Sequence, residues 1–190
     1  MAIKKRPVSP RQKMINLMYV VLMAMLALNV STEVLEGFSL VEESLHRTTT
    51  NSASENAAIY GDFEAQMKAN PQKVKAWFDK ATAVKRMSDS LYNFAQQLKV
   101  AIVKEADGED GDVFNIERKD DLEAANQVML APGKGQGKRL FDAINSFRER
   151  ILTMVPDERQ KAIIASNLTT TLPKNAKTMG KNWQEYMFED

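Results

Sequence analysis

The chain has 190 residues, with 26 Lys+Arg against 25 Asp+Glu and a formal net charge of +1, which leaves no cationic excess to track phosphates and excludes a broadly basic nucleic-acid binder. Zero cysteines exclude a disulfide scaffold, a cysteine zinc site and a thiol nucleophile, and His46 as the single histidine leaves no material for a His cage or a Ser-His-Asp triad. With 44 % hydrophobic and 27 % charged residues, and only eight glycines and six prolines, the chain can bury a core and be mostly helical.

The charges are segregated along the chain. Residues 1–13 carry Lys4, Lys5, Arg6, Arg11 and Lys13 and no acid; residues 14–32 carry no charge, and from Met14 to Val30 all but Asn16 and Asn29 are apolar. Glu33, Glu36, Glu42 and Glu43 follow with no cation between them. An uncharged helix over 14–32 would span about 28 Å at roughly 1.5 Å per residue, close to the roughly 30 Å hydrocarbon core of a bilayer. The pattern predicts a cytoplasmic basic arm (1–13), one transmembrane helix (14–32) and a domain on the far side of that membrane (33–190). A secretory signal peptide has the same order of cationic and apolar stretches, but Ala24-Met25-Leu26-Ala27-Leu28-Asn29 offers no clean A-x-A cleavage site. A buried core helix is the other alternative, and the one-sided charge step argues against it.

Ser9-Pro10-Arg11-Gln12 places Ser9 at N-cap, Pro10 at N1 and Gln12 at N3, a capping box. Arg11 then sits at N2, where the helix dipole disfavours a cation; it is either a headgroup anchor or paired with another group. Steps of three and four link Leu17, Val20, Ala24, Ala27 and Ser31, and continue through Val34, Phe38, Val41 and Leu45. The small residues allow close helix–helix approach, so the seam predicts a parallel homodimer, while positions after about 38 are expected to pack on the chain's own domain. Gly37 is a weak point in the continuing helix. Arg11, Leu22, Asn29 and Glu33 fall opposite the seam at roughly 100° per residue, with Asn16 and Tyr19 to one side. That second polar face predicts a different membrane partner. Because residues 14–32 hold no ionisable side chain, a proton-binding carboxylate would have to come from that partner.

From Pro71, Val74, Trp77, Ala81, Val84, Leu91, Ala95, Leu98 and Ile102 follow helical spacing, with Asn70-Pro71 as N-cap and N1. Leu140, Ile144, Phe147, Ile151 and Met154 mark a second helix over 139–155, and shorter helices are expected at 52–69, 120–131 and 157–167. The expected fold is all-α, a single N-terminal transmembrane helix continuing into a helical bundle outside the membrane, which the resemblance below makes periplasmic. The acidic stretch Asp107–Asp112 has its glycines at the wrong positions for an EF-hand, and Gly133–Lys138 lacks phosphate-loop spacing, with Arg139 where Ser or Thr belongs. Both read as loops. Asn167-Leu168-Thr169 is a formal glycosylation sequon without a eukaryotic context, and His46 reads as a solvated surface residue. No metal site or cofactor is expected. Trp183, Tyr186, Met187 and Phe188 look like the start of a further packed element, so a chain cut short after residue 190 is expected.

The run Ser9–Tyr19, followed by Ala24–Asn29 and Glu33-Val34-Leu35, resembles the N-terminus of the GldM/PorM family, motor subunits of type IX secretion and gliding motility in Bacteroidetes. A looser likeness continues in Val103–Gly108 and Trp183–Asp190. The resemblance implies a single-pass inner-membrane protein whose two copies enter a ring of five GldL-type two-helix subunits, each supplying a membrane glutamate. It implies that Arg11 and Tyr19 face that ring, that proton flow drives rotation, and that later periplasmic domains reach GldK/GldN-type partners at the outer membrane. No enzymatic activity is implied. Two other readings compete: an ExbD/MotB-type energiser, which would carry an aspartate in its membrane helix, and a periplasmic sensor domain of a membrane receptor.

Overall fold

The computed structural model describes residues 9–28, 32–121, 123–133, 135–174, 178 and 180–189, with the backbone alone at 25–28, 32 and 33. Among these the chain is all-α: α1 (Pro10–Leu28), α2 (Thr32–Ala69), α3 (Pro71–Asp107), α4 (Glu123–Leu130), α5 (Gln136–Met154), α6 (Glu158–Asn167) and α7 (Trp183–Phe188). There is no strand among the described residues, and the one isolated bridge joins Asp112 to Asn115 within a turn. The chain divides into two compact units, residues 1–52 and 53–190, with the boundary inside α2.

In the first unit, no helix among the described residues is long and apolar enough to cross a membrane. The physical reason lies at both ends of α1. Its first turn is Pro10-Arg11-Gln12-Lys13, and the described helix stops at Leu28, so the apolar part is Met14–Leu28, about 22 Å at 1.5 Å per residue. The expected span continued through Asn29, Val30 and Ser31, which lie outside the described residues, as do Lys4, Lys5 and Arg6 of the basic arm.

The helix expected at 52–69 is not separate; it is the second half of α2. The run Thr48-Thr49-Thr50-Asn51-Ser52 has poor helix propensity. Within this helix the hydroxyls of Thr48, Thr49 and Thr50 donate back to the carbonyls of Ser44, Leu45 and His46 at 2.9, 2.9 and 3.0 Å, a local bonding that leaves no hydroxyl competing for another backbone conformation. Phe38, Val41 and Leu45, expected to be covered by the chain's own domain, are exposed.

In the second unit, α2 ends at Ala69 and α3 starts at Pro71, whose missing N–H is harmless at N1. Asn70 occupies the N-cap position, but its side chain makes no capping bond. The half-buried Tyr60, Phe63 and Met67 lie on one face of α2, and the Tyr60 hydroxyl donates to the Ala81 carbonyl at 3.1 Å.

The core lies further along α3. Leu98, Val103 and Ala106 are buried there, with Ala124, Val128 and Met129 of α4 and Ile151 of α5. Leu98, Val128 and Met129 form one cluster, flanked by Phe94, Leu140 and Phe188. Burying each such side chain contributes about 1.5–3 kcal/mol. The apolar stripe predicted for α3 is therefore present but unevenly covered: Trp77 is 53 % exposed and Leu98 only 6 %.

Helix α7 brings two of the terminal aromatics onto this domain. Trp183 sits 5.7 Å from Phe141 and 6.1 Å from Phe188 between ring centroids, and Phe188 packs on the core cluster. These side chains serve this domain. Asn182 starts the helix with a reciprocal capping box: its side chain accepts from Glu185 N at 2.9 Å, while the Glu185 carboxylate accepts from Asn182 N at 2.8 Å.

Candidate interaction surface

Helix α1 carries the residues that the sequence singled out. Ser9 Oγ accepts from Gln12 N at 3.3 Å, and the Ser9 carbonyl accepts from Lys13 N at 3.0 Å, so the cap at Ser9, Pro10 and Gln12 exists in its N-cap half. The reciprocal half does not form. Gln12 Nε2 instead donates forward to Asn16 Oδ1 at 3.2 Å, an i to i+4 pair on the helix surface, so the expected box is a single serine cap.

Continuous helix over Pro10–Leu28 makes the 100° arithmetic applicable, with Leu17, Val20 and Ala24 on one face and Arg11 and Leu22 on the other. All five are exposed, as are Asn16 and Tyr19. Of the remaining seam residues, the Ala27 side chain and Ser31 lie outside the described residues, as do Asn29 and the Glu33 side chain on the opposite face. Arg11 makes no ion pair among the described residues. Met14, Leu17, Met18, Val20 and Met23 are each more than three-fifths exposed, so apolar side chain faces outward around the whole circumference of α1.

The two loops that invited chemical readings have structural explanations. The Asp107 carboxylate accepts from the amides of Glu117 and Arg118, both at 2.9 Å. The Arg118 guanidinium closes the clasp onto the Ala106 carbonyl at 2.8 Å and Asp121 at 2.6 Å. Among the described residues no group of three or more His, Asp or Glu is placed to hold a metal ion. In the glycine run, Gly133 and Gly135 take positive φ (87° and 53°) to turn the chain, while Gly137 is buried in the first turn of α5. Sequence reasoning missed the Asp107–Arg118 clasp, because its partners are eleven residues apart with no periodic signal. It also missed an arginine-rimmed groove between α3 and α5.

In the same loop Lys104 Nζ pairs with Glu109 at 2.8 Å. This holds the Glu109 carboxyl below its usual range and raises the Lys104 ammonium, in each case first through the hydrogen bond and then through charge. The pair's contribution through Glu109 is present above the unfolded carboxyl value and is lost as pH falls through the lowered folded one; through Lys104 it is lost as pH rises through the raised one. Both side chains are largely exposed, so the stability effect is small. Carbon-detected NMR titration should find Glu109 below the ordinary glutamate range, and Lys104→Met should return it there.

The described chain is a helical domain that presents its chemistry on exposed helix faces, with no polar or charged side chain buried among the described residues. The GldM N-terminal domain family matches residues 33–190, most of the chain, and the chain belongs to that family. Its members are structural motor components, so the protein is not an enzyme. Membership implies a role in gliding motility and type IX secretion, association with a membrane, and a complex with other components of those systems. The match begins at residue 33, so α1 rests on its own sequence. A comparison with curated proteins finds no match.

Proposed function

We propose that the chain is a single-pass inner-membrane subunit of a motor driven by the proton-motive force, with its N-terminus cytoplasmic and residues 33–190 periplasmic. Two copies pair along Leu17, Val20, Ala24, Ala27 and Ser31. Arg11, Asn16 and Tyr19 meet a GldL-type ring that supplies the membrane glutamate, and the periplasmic helices pass torque or conformational change outward. The periplasmic part of the protein passes that torque on to GldK/GldN-type components at the outer membrane.

The observation that carries this reading is the all-round apolar exposure of α1 inside an uncharged run that five cations precede and four glutamates follow. In water such a surface is unfavourable at about 25 cal/mol per Å2, and it is stable against lipid or partner helices. The ordered charge asymmetry sets the orientation. Membership of the family fits a membrane complex of this kind.

A chain with no cysteine allows a direct test of topology. Single variants Lys5→Cys and Glu64→Cys would be treated with a membrane-impermeant maleimide in cells with a permeabilised outer membrane. Position 64 should label at once, and position 5 only after the inner membrane is lysed. Immediate labelling at both positions overturns the proposed orientation and span.

A further inference from the structure

Between α3 and α5 lies an open groove of about 650 Å3 whose lining contains no carboxylate. The half-buried Leu91, Phe94 and Phe147 make its floor, and the exposed Arg86, Arg139 and Arg150 its rim. Small side chains, Ser90 on one wall and Ala143 on the other, leave the space between the helices unfilled.

The three guanidiniums have no carboxylate partner among the described residues. Arg139 bonds Gln136 Oε1 at 2.9 Å and lies 5.4 Å from the centroid of the Phe94 ring, which holds its planar fork at the edge of the apolar floor. One acid on each of these helices is engaged with a lysine: Asp89 pairs with Lys85 at 2.7 Å and Asp142 with Lys138 at 2.9 Å. The lining of the groove thus gathers three cations and no acid.

Arginine is suited to bidentate capture of carboxylates and to stacking on aromatic rings. Arg139 and Arg150 are eleven residues apart on α5, about 16 Å at 1.5 Å per residue, or three turns of a helix laid alongside. An apolar floor with a cationic rim complements a helix whose apolar stripe is flanked by acids, the usual helix-in-groove mode. We propose that this groove docks an acidic amphipathic helical segment of a partner protein, with apolar side chains over Leu91 and Phe147 and carboxylates on Arg86, Arg139 and Arg150. The proposal does not depend on the membrane reading of α1.

The test uses the full chain in detergent micelles and a fluorescein-labelled 14-residue peptide with leucines at i, i+3, i+4 and i+7 and glutamates beside them. One control peptide has the same composition scrambled, and another has lysine in place of each glutamate. The acidic amphipathic peptide should bind, the scrambled one about tenfold or more weaker, and the lysine one not at all. Arg139→Gln with Arg150→Gln should weaken the first peptide about tenfold or more, with thermal melting unchanged. Arg159→Gln, on α6 and outside the groove, should leave binding as it was. Equal binding of the scrambled peptide would reduce the groove to a patch of charge and overturn the proposal. So would an unaltered affinity in the double variant, or arginine-dependent binding of phosphatidylglycerol vesicles without binding of the peptide.

Discussion

Replacing Arg11 by Ala, with Lys4, Lys5, Arg6 and Lys13 left in place, is expected to abolish secretion and gliding while the complex still assembles. The four remaining cations preserve the charge asymmetry that orients the helix, so topology should not change. What the substitution removes is a guanidinium at N2 of α1, exposed and without an ion pair among the described residues. At that position the helix dipole opposes a cation, and in the proposed motor the compensation is a carboxylate of the ring. Truncating one partner of a desolvated charge pair costs about 3–5 kcal/mol, because the other charge is left uncompensated. Arg11→Lys keeps the charge but loses the fork, and should retain part of the activity. Secretion and spreading assays, with co-purification of the ring as the assembly control, measure the effect. Full activity of Arg11→Ala would reduce Arg11 to a headgroup anchor. A lone monomer in native mass measurements of the extracted wild-type complex would sink the motor reading itself.

The second large effect is expected at Gly137. A Cβ there would meet Gln184 Cβ at 2.9 Å and the Met129 carbonyl at 3.0 Å, so α7 and the end of α4 both press on the first turn of α5. The carbonyl is backbone and Gln184 Cβ is the root of its side chain, so neither can swing away. Gly137→Ala should destabilise the domain by about 1–3 kcal/mol, the usual cost of overpacking, and Gly137→Val by more. Gly61→Ala provides the contrast. Gly61 lies inside α2 with nothing within 4 Å of its would-be Cβ, so helix propensity alone acts there and should stabilise by up to about 1 kcal/mol. Denaturant unfolding followed by circular dichroism reads both. A stabilised Gly137→Ala would mean that α7 does not press on α5 in solution.

Where the helices lie was largely legible. The 139–155 periodicity corresponds to Gln136–Met154, the 157–167 stretch to Glu158–Asn167, and the stripe from Val74 to Ile102 to Pro71–Asp107. Periodic burial leaves a periodic trace in sequence, and the Asn70-Pro71 pair punctuates it. The joining of 32–69 into one helix left no such trace. Thr48, Thr49 and Thr50 disfavour a helix by propensity, and only their side-chain bonds to the preceding turn reconcile them with it. Likewise Trp77 and Leu98 occupy equivalent positions in the stripe, yet one is half exposed and the other is core. The difference depends on whether α4 and α5 pass beside that turn, and this is information held in other segments.

The proposed interaction surfaces divide in the same way. Near-zero net charge, resolved along the chain, became a basic arm, an uncharged run and an acidic exit. The absence of cysteine and the single histidine narrowed the chemistry before any fold was known. These are properties of composition and local order, and so are the faces of α1; they follow from residue order alone. Packing in three dimensions sets Trp183 and Phe188 against this domain, makes Gly137 a contact, and gathers Arg86, Arg139 and Arg150 into one groove. Residues separated by forty or more positions meet only when helices pack. The charge and steric consequences of that meeting are set by distance in space, which no local pattern encodes.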